Sequence, residues 1–408
     1  ATLTNSGTVS ATGSATTAIQ GSANADTLNL NAGSEIIGLI DLQGGTDTVI
    51  FGANTSAVLN IANAENVSVL NGGTNFIQVG NIFTVVDPTG QSVNATVLGS
   101  VTAGIHGAVT QHLAHSPAPP QLASTRVDPG MLSESREPKL WVNGFGSHRE
   151  RGQDGLALAY DHDYYGFAGG YETNYRQYRV GFIGGYAHSD VVTDIAATDN
   201  DSDSFFVGGY GQVGFGQVDL SITLLAGYER HDNDRRVVDS SNGIEIARSE
   251  FGSFFLSPSL TLSGEYEFGN RHVFRPSATV VYSVALHDDY TESGTTRANL
   301  SVDERVSQAV LGRLQVAVGH SFDEDHEIEL RVGGNIRYTN NDDIEGSLSG
   351  TNFSYASAGD DTVYGAYGGV NLLMAITDRL NLRGDVELGK STGDESYVTA
   401  QLGFELAF

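Results

Sequence analysis

The side chains in this sequence best suited to chemistry are histidines and paired carboxylates. Eleven histidines are scattered along 408 residues, and the closest group is His106, His112 and His115. Steps of six and three residues do not place three metal ligands on one face of a helix. Asp385 and Glu387 alternate along an extended pattern and could act as an acid–base pair, but the lining of a water-filled interior explains them more simply. We therefore predict no catalytic residues, no metal-binding residues and no cofactor.

Motifs of hydrolytic and nucleotide-binding enzymes are missing as well. The sequence contains no G-x-S-x-G nucleophile motif and no phosphate-binding loop. Acidic residues outnumber basic residues 49 to 21, whereas phosphate binding needs clustered Lys and Arg. Cysteine is absent, which excludes disulfides and thiolate metal sites. We predict that the protein is not an enzyme and has no nucleic-acid partner.

The first ninety residues contain an approximate repeat of 21 residues. The segment "ADTLNL" ends at Leu30 and "TDTVIF" ends at Phe51, and a weaker third copy, "NVSVLN", ends one residue before the expected position. Repeats of this length with Asn/Gly corners predict rungs of a parallel β-solenoid, which needs about three rungs for stability, so we expect further rungs upstream. Calcium-binding β-rolls have similar Gly/Asp content but need consecutive nine-residue units, so we interpret the Asn and Asp residues as corners.

Residues 93–114 predict a helix that is too weak to stand alone. Apolar residues recur at steps of three and four, but three glycines interrupt them, and each costs about 1 kcal/mol relative to alanine. At about 1.5 Å per residue the segment would span roughly 33 Å, close to the thickness of a bilayer's hydrocarbon core. Because the segment is too polar to face lipid, we predict that it is a helix that runs through a pore. The predicted pore-helix residues are Leu98, Gly99, Val101, Gly104, Ile105, Gly107 and Val109.

From Lys139 onward, apolar and polar residues alternate almost without interruption. In "EIELRVGGNIRY", Ile328 and Leu330 share one face of a strand, and Glu329 and Arg331 share the other. Charges of both signs in consecutive inward positions favour a water-filled barrel over a soluble β-sandwich with a packed core. The sequence has no run of about 18 apolar residues, so a membrane protein would have to be a closed barrel. We predict twelve antiparallel strands near residues 139–148, 160–172, 176–192, 203–215, 217–232, 249–268, 272–289, 304–321, 326–341, 361–377, 380–390 and 397–408.

The connections between these strands alternate between short and long. "TNYR" and "TDR" are short, whereas "RHDNDRRVVDSSNG", "DDYTESGTTRANLSVD" and "NNDDIEGSLSGTNFSYASAGDD" are long and acidic, and we predict that these are flexible loops. This asymmetry is typical of outer-membrane barrels, whose long loops face outside. The last strand, "QLGFELAF", is expected to pair with the first, "LWVNGFGSH", so that neither leaves a free edge. Its lipid face would be Leu402, Phe404, Leu406 and Phe408.

A solenoid stub, a pore-spanning helix and a twelve-stranded barrel together resemble the monomeric autotransporters of type V secretion, and the likeness covers nearly the whole chain. The terminal strand carries the most specific match. Barrels of this kind end in a signal for the insertion machinery made of a polar residue, a glycine, and apolar residues ending in an aromatic. Gln401, Gly403, Leu406 and Phe408 occupy those positions. The resemblance identifies them as the barrel-assembly signal.

The resemblance also implies an organisation and a function. Residues 1–90 would be the end of a β-helical passenger, 91–138 the pore helix and its linker, and 139–408 an outer-membrane translocator barrel of a Gram-negative bacterium that exports or displays the passenger at the cell surface. Expected partners are outer-membrane lipid and lipopolysaccharide, the barrel-assembly machinery and periplasmic chaperones, with the barrel acting as a monomer. Some family members cut the helix at an Asn-Asn pair, whereas this helix offers only Asn94. The alternative is an outer-membrane porin or adhesin, in which 93–114 would not lie in the pore.

Overall fold

The computed structural model describes residues 1–12, 16–52, 55–72, 76–114, 138–154, 157–175, 178–269, 271–323, 326–357 and 362–407. The predictions for the linker at 115–137, for His115 and for Phe408 lie outside these residues. Among the described residues, no helix is both long and apolar enough to cross a membrane.

Eleven short strands form the N-terminal stub. Three parallel ladders, β1–β4–β7–β9, β2–β5 and β3–β6, stack as faces of a solenoid, with the strands bounded as β1 (Thr2–Asn5), β2 (Thr8–Ser10), β3 (Thr17–Gln20), β4 (Thr27–Leu30), β5 (Glu35–Ile37), β6 (Leu39–Asp41), β7 (Asp47–Gly52), β8 (Ala57–Asn60), β9 (Val67–Gly72), β10 (Phe76–Val79) and β11 (Ile82–Val85). Leu28 pairs with Val49 and Val49 pairs with Val69, spacings of 21 and 20 residues. The approximate period in the sequence is therefore confirmed.

The stub has its own apolar core. Leu28, Leu30, Val49 and Phe51 are fully buried, because alternate side chains of each rung point inward and stack on those of the next rung. Towards the barrel the solenoid ends in an antiparallel sheet, β10–β11–β8, whose Phe83 packs against Phe51. The sequence repeat does not predict this sheet.

Among the described residues after the stub, there are two α-helical segments and seventeen strands. The helices are α1 (Thr89–Ser92) and α2 (Asn94–Ala114), and the strands are β12 (Lys139–Arg151), β13 (Tyr160–Tyr175), β14 (Tyr178–Thr193), β15 (Thr198–Phe215), β16 (Val218–Asp239), β17 (Gly243–Gly264), β18 (Tyr266–Phe268), β19 (His272–His287), β20 (Tyr290–Thr291), β21 (Leu300–Val302), β22 (Arg305–Ser321), β23 (His326–Asn341), β24 (Ile344–Leu348), β25 (Thr351–Tyr355), β26 (Thr362–Thr377), β27 (Leu380–Ser391) and β28 (Glu395–Ala407).

Twelve of these strands form a closed antiparallel barrel. The pairing runs β12–β13–β14–β15–β16–β17–β19–β22–β23–β26–β27–β28 and returns from β28 to β12, where Phe404 lies opposite Val142. The fold predicted from the sequence, an all-β chain with a twelve-stranded barrel, a helix in its lumen and a parallel solenoid stub, is confirmed. The pairing of the last strand with the first is also confirmed.

Alternation along each strand separates a polar interior from an apolar exterior. On β27, Arg383, Asp385 and Glu387 are buried in the lumen, while Val386 and Leu388 are exposed on the outside. Large exposed aromatic side chains lie on the same outer surface: Tyr165, Phe167, Phe182, Phe205, Phe254 and Tyr364. An apolar exterior around a charged interior is the inverse of a soluble protein and fits a lipid-facing wall.

The two rims of the barrel differ. The short-turn rim carries the turns after β13, β15, β22 and β26, together with the start of β12 and the end of β28. At the opposite, long-loop rim, the segment "RHDNDRRVVDSSNG" is not a flexible loop as predicted, because β16 and β17 continue to a tight turn with Asp239 opposite Gly243. Val237 and Ala247 in this extension are buried against Val58 of the stub. That contact stabilises a strand where the local sequence reads as a loop.

The described parts of the other two long connections are also ordered, contrary to the prediction. They fold together into a four-stranded sheet, β20–β21–β24–β25, at the long-loop rim. Leu300 and Ile344 of this sheet are buried in one cluster with Ile77 and Val86 of the stub and Phe251 of β17. The stub therefore rests on the long-loop rim through two apolar clusters. An ion pair of 2.5 Å between Glu35 of the stub and Arg236 of β16 also joins the stub to the rim.

Candidate functional site

The helix α2 lies inside the barrel and is surrounded by strands from around its circumference. It enters at the long-loop rim, where Asn200 Nδ2 of β15 donates a hydrogen bond of 2.9 Å to the carbonyl of Gly90 in α1. It ends at the short-turn rim, where His112 contacts Glu172 of β13. The structure thus places the predicted pore-helix residues in the lumen, and the four apolar ones, Leu98, Val101, Ile105 and Val109, are buried there.

The glycines of α2 lie where the wall comes closest. A Cβ atom on Gly104 would lie 2.9 Å from Tyr164 Cε2, and one on Gly99 would lie 2.9 Å from Ala309 Cβ. Real Cβ contacts of this length do not occur, so any larger side chain would force the helix or the wall to move. At Gly107 the nearest atom is Nε2 of Gln401, the far end of a longer side chain, so that contact is easier to relieve.

One side of the lumen is apolar and packs directly against the helix. Its side chains come from β12 to β19 and form a single buried cluster with the helix residues: Trp141, Phe145, Tyr164, Ala168, Ile183, Ala187, Phe206, Tyr210, Leu225, Phe255 and Ala285. Packing this bulk beside a glycine-rich helix leaves little space for water next to these side chains. We call it the apolar wall.

The other side of the lumen is charged. On β22, β23 and β27, Arg331 forms a two-pronged pair with Asp385, and Arg313 Nη2 lies 2.7 Å from Glu387 Oε2. Glu395 of β28 pairs with Arg337 at 2.6 Å and with Arg149. These pairs line a polar cavity of about 190 Å³ beside the small residues of α2. We call this side the charged wall.

Hydroxyl groups join the middle of the helix to the apolar wall. Thr102 Oγ1 lies 2.7 Å from Ser283 Oγ, which lies 2.9 Å from Ser257 Oγ, and His106 Nε2 lies 2.9 Å from that same Ser257 oxygen. All four side chains are buried. The hydrogen bonds among these side chains offset part of the cost of burying them, although His106 Nδ1 has no hydrogen-bond partner among the described residues. His106, which the sequence leaves without a role, is therefore one of the contacts that fix the position of the helix.

At the short-turn rim, four buried polar side chains, one of them on the helix itself, fix the end of the helix. His112 Nε2 lies 2.9 Å from Glu172 Oε2, and its Nδ1 lies 3.1 Å from Glu405 Oε2. Arg383 Nη1 donates to the carbonyls of Gln111, at 3.1 Å, and His112, at 2.6 Å, while its Nη2 pairs with Glu405 at 2.8 Å. We call His112, Glu172, Arg383 and Glu405 the helix lock. Cations at a helix C-terminus also interact favourably with the helix dipole.

The only tryptophan of the chain lies against the helix lock. The indole of Trp141 stacks on His112 with 4.9 Å between ring centroids, and its Nε1 donates a 2.8 Å hydrogen bond to the Tyr210 hydroxyl. The sequence offers no signal for the helix lock with Trp141 and Tyr210, because these six residues come from six different elements of the chain. Only the barrel closure brings them together.

The predicted barrel-assembly residues lie on the closing strand, β28. Gln401 points into the lumen beside Gly107, and Gly403 lies where a Cβ would come within 2.9 Å of Asn143 Nδ2. Leu406 is exposed on the outer face. Nothing in the geometry tests their recognition by assembly machinery, so this role stays a prediction.

Comparison with known proteins yields one family and a set of similar structures. Residues 140–387 match the family model of the autotransporter β-domain. The translocator domain of the autotransporter NalP from Neisseria meningitidis is 12% identical, with a TM-score of 0.56, and the match covers 77% of this chain and 100% of that chain. The β-domain of the Bordetella autotransporter BrkA is 17% identical, with a TM-score of 0.52, covering 67% and 100%. No curated protein sequence matches this chain.

Proposed function

This chain belongs to the autotransporter β-domain family, and we propose that its barrel exports its own N-terminal segment, displays it at the cell surface and is then plugged by α2. The family consists of transport proteins of the outer membrane of Gram-negative bacteria, not of catalysts. Export to the surface is the step that this proposal adds for the present chain.

The observation that carries the proposal is the course of α2 through the closed barrel. The stub contacts the long-loop rim, whereas His112 and Ala114 end at the short-turn rim, where β12 begins. A single covalent chain therefore runs through a ring closed by the β12–β28 ladder. The stub and the start of β12 lie at opposite ends of that passage, as expected when the N-terminal part of a chain crosses a membrane through the pore.

The plugged state leaves no room for a second polypeptide. The helix fills the middle of the lumen, and the cavity that remains along the charged wall measures about 190 Å³. Its lining of ion pairs keeps it hydrated, because charged groups stay solvated or paired. The resting pore is thus closed to chains and wet along one side.

The proposed partners of the barrel are membrane lipids and the proteins that assemble it. Lipid and lipopolysaccharide surround the exposed apolar exterior, and the barrel acts as a monomer whose ladder has no free edge. Gln401, Gly403, Leu406 and Phe408 form the signal that the barrel-assembly machinery reads, and periplasmic chaperones carry the unfolded chain to it. These partners are proposals that rest on the family.

Surface labelling of intact cells tests export. An epitope inserted at Gly7, an exposed position in the stub, is expected to bind antibody on intact cells. The same epitope inserted at Gly216, in the turn between β15 and β16 on the short-turn rim, should bind only after the outer membrane is permeabilised. A stub epitope that is accessible only in permeabilised cells, while the barrel is assembled, would contradict export. No observation favours the porin or adhesin alternative, which requires residues 93–114 to lie outside the pore.

A further inference from the structure

The stub joins the helix through a buried Asp–Pro peptide bond. Strand β11 ends at Val85, and α1 begins at Thr89, so Asp87 and Pro88 form the junction. Asp87 is only 4% exposed. Its Oδ1 accepts a hydrogen bond of 2.7 Å from the backbone N–H of Thr89. Within the part of the chain that the structure describes, its Oδ2 is buried and has no hydrogen-bond partner.

The surroundings of Asp87 favour its neutral form. Burial raises the pKa of this carboxyl and outweighs the hydrogen bonds from Thr89 and the charge of Arg235 on β16, which lower it. The Arg235 guanidinium is already engaged, because it pairs with Glu292 at 2.6 Å and donates to the carbonyl of Ala298 at 2.7 Å. A carboxyl that is desolvated and lacks a pair holds its proton at a higher pH than an exposed one.

An Asp–Pro bond is the most acid-labile peptide bond, for two reasons that this junction combines. The aspartyl side chain can reach its own carbonyl carbon and close a five-membered ring. The proline nitrogen has no N–H and leaves as a secondary amine once it takes a proton. Here Thr89 fixes one carboxyl oxygen and leaves the other without a partner. The oxygen that is free to attack is therefore Oδ2.

We propose that the chain cleaves its own backbone between Asp87 and Pro88. Oδ2 of Asp87 attacks the carbonyl carbon of the same residue, and the resulting tetrahedral centre expels the proline nitrogen. The C–N electron pair moves to that nitrogen, which takes the carboxyl proton. The cyclic anhydride left on Asp87 is opened by one solvent water molecule. The products are a stub that ends in Asp87 with two carboxyl groups and a barrel chain that begins with the secondary amine of Pro88.

Scission at this bond breaks the covalent link but not the contact between the stub and the barrel. Two apolar clusters, one joining Val58 to Val237 and one joining Ile77 to Phe251, do not depend on the broken bond. The Glu35–Arg236 ion pair does not depend on it either. The plug is retained as well, because α2 lies downstream of Pro88. The stub would therefore stay on the rim as a separate chain, and would be released when those contacts are broken.

The sequence supplies an internal control for the experiment. A second Asp–Pro bond, Asp128–Pro129, lies in the linker, outside the described residues. The purified full chain, folded in detergent, is incubated over a series of pH values from acidic to neutral, and intact mass and N-terminal sequencing identify the fragments. We expect a fragment that starts at Pro88, formed faster than in the urea-denatured chain at pH values where an exposed aspartate is ionised, because the raised pKa keeps the Asp87 carboxyl in its acid form there. Scission at Pro129 should not show this acceleration.

Variants separate the chemistry from folding. Asp87→Ser keeps an oxygen that can accept a hydrogen bond from the Thr89 N–H but removes the attacking carboxyl. Pro88→Ala keeps the carboxyl but restores an ordinary secondary amide. Both variants are expected to stop the scission. Heat-modifiable gel migration verifies that each variant still forms the barrel. Asp128→Asn should leave scission at Asp87 unchanged. Equal rates in folded and denatured chains, equal rates at the two bonds, or persistent cleavage in Asp87→Ser would overturn the proposal. The experiment involves no export step, so a negative result leaves the translocator function unaffected.

Discussion

Replacing Arg383 with methionine should loosen the plug without opening the barrel wall. The guanidinium donates to two carbonyls at the end of α2, Gln111 and His112, and pairs with Glu405. Methionine keeps much of the volume and removes all three interactions. Hydrogen bonds to a charged group contribute about 1.5–3 kcal/mol each. The pair with Glu405 lies within the barrel, so only the two bonds to the helix count, and they give about 3–6 kcal/mol as the loss in docking free energy.

That loss corresponds to a shift of about two to four orders of magnitude in the ratio of undocked to docked helix, at about 1.4 kcal/mol per factor of ten. Single-channel recording in planar bilayers measures this ratio as the fraction of time spent at high conductance. The high-conductance level of Arg383→Met should rise towards, and not exceed, the steady level of a barrel that lacks residues 1–115, because the undocked segment still threads the lumen but no longer packs against its walls. The wild type should reach that level only in brief, rare events.

A matched control separates the helix lock from the lumen charge in general. Arg275 is also a lumen arginine, but its partners, Glu265, Glu327 and Glu329, all belong to the barrel. Arg275→Met removes one positive charge from the pore and should leave the open fraction close to that of the wild type. An open fraction of Arg383→Met equal to that of Arg275→Met would refute the assignment of Arg383 as a helix anchor.

Three further outcomes are expected. Gly104→Trp should clash with Tyr164 and lower the yield of heat-modifiable barrel on gels; a normal yield would argue against close packing of the helix. Burial raises the pKa of Tyr355 in the rim sheet to about 12 from 10.0, so the folded rim favours the protonated phenol and loses stability as the pH rises above about 10. Limited proteolysis of the rim loops should show this loss in the wild type and not in Tyr355→Phe. Deleting Phe408, or replacing it with a charged residue, should reduce barrel assembly in cells, as measured by surface immunoblotting, and normal levels would count against the assembly signal.

The sequence predicts the features that repeat along the chain. Alternation with a period of two defines the twelve strands to within a few residues at most ends, because each strand has one face towards lipid and one towards the lumen. The 21-residue period likewise predicts the solenoid, and the pattern of glycines in residues 93–114 predicts a helix in a confined space. Each of these signals is local, so it can be seen without knowing what packs against the segment.

Features that depend on distant partners are not predicted. The extension of β16 around Val237 has the composition of a loop, and only its burial against Val58 of the stub makes it a strand. The helix lock joins His112 to Arg383 and Glu405, which are separated from it by more than 270 residues. Nothing in a one-dimensional pattern marks these residues as neighbours. Tertiary contact decides their structure in both cases.

The closed β12–β28 seam makes this molecule a threaded ring, comparable to a rotaxane. The axle is α2, the ring is the barrel, and the stub is a stopper, because a solenoid with its own apolar core is wider than a lumen that holds one helix and little else. A stopper on an axle admits only two orders of assembly. Either the stub passes through the ring before it folds, or the seam closes around a helix that is already in place. In both orders, folding of the stub or closure of the seam makes the threading permanent for as long as the backbone is intact.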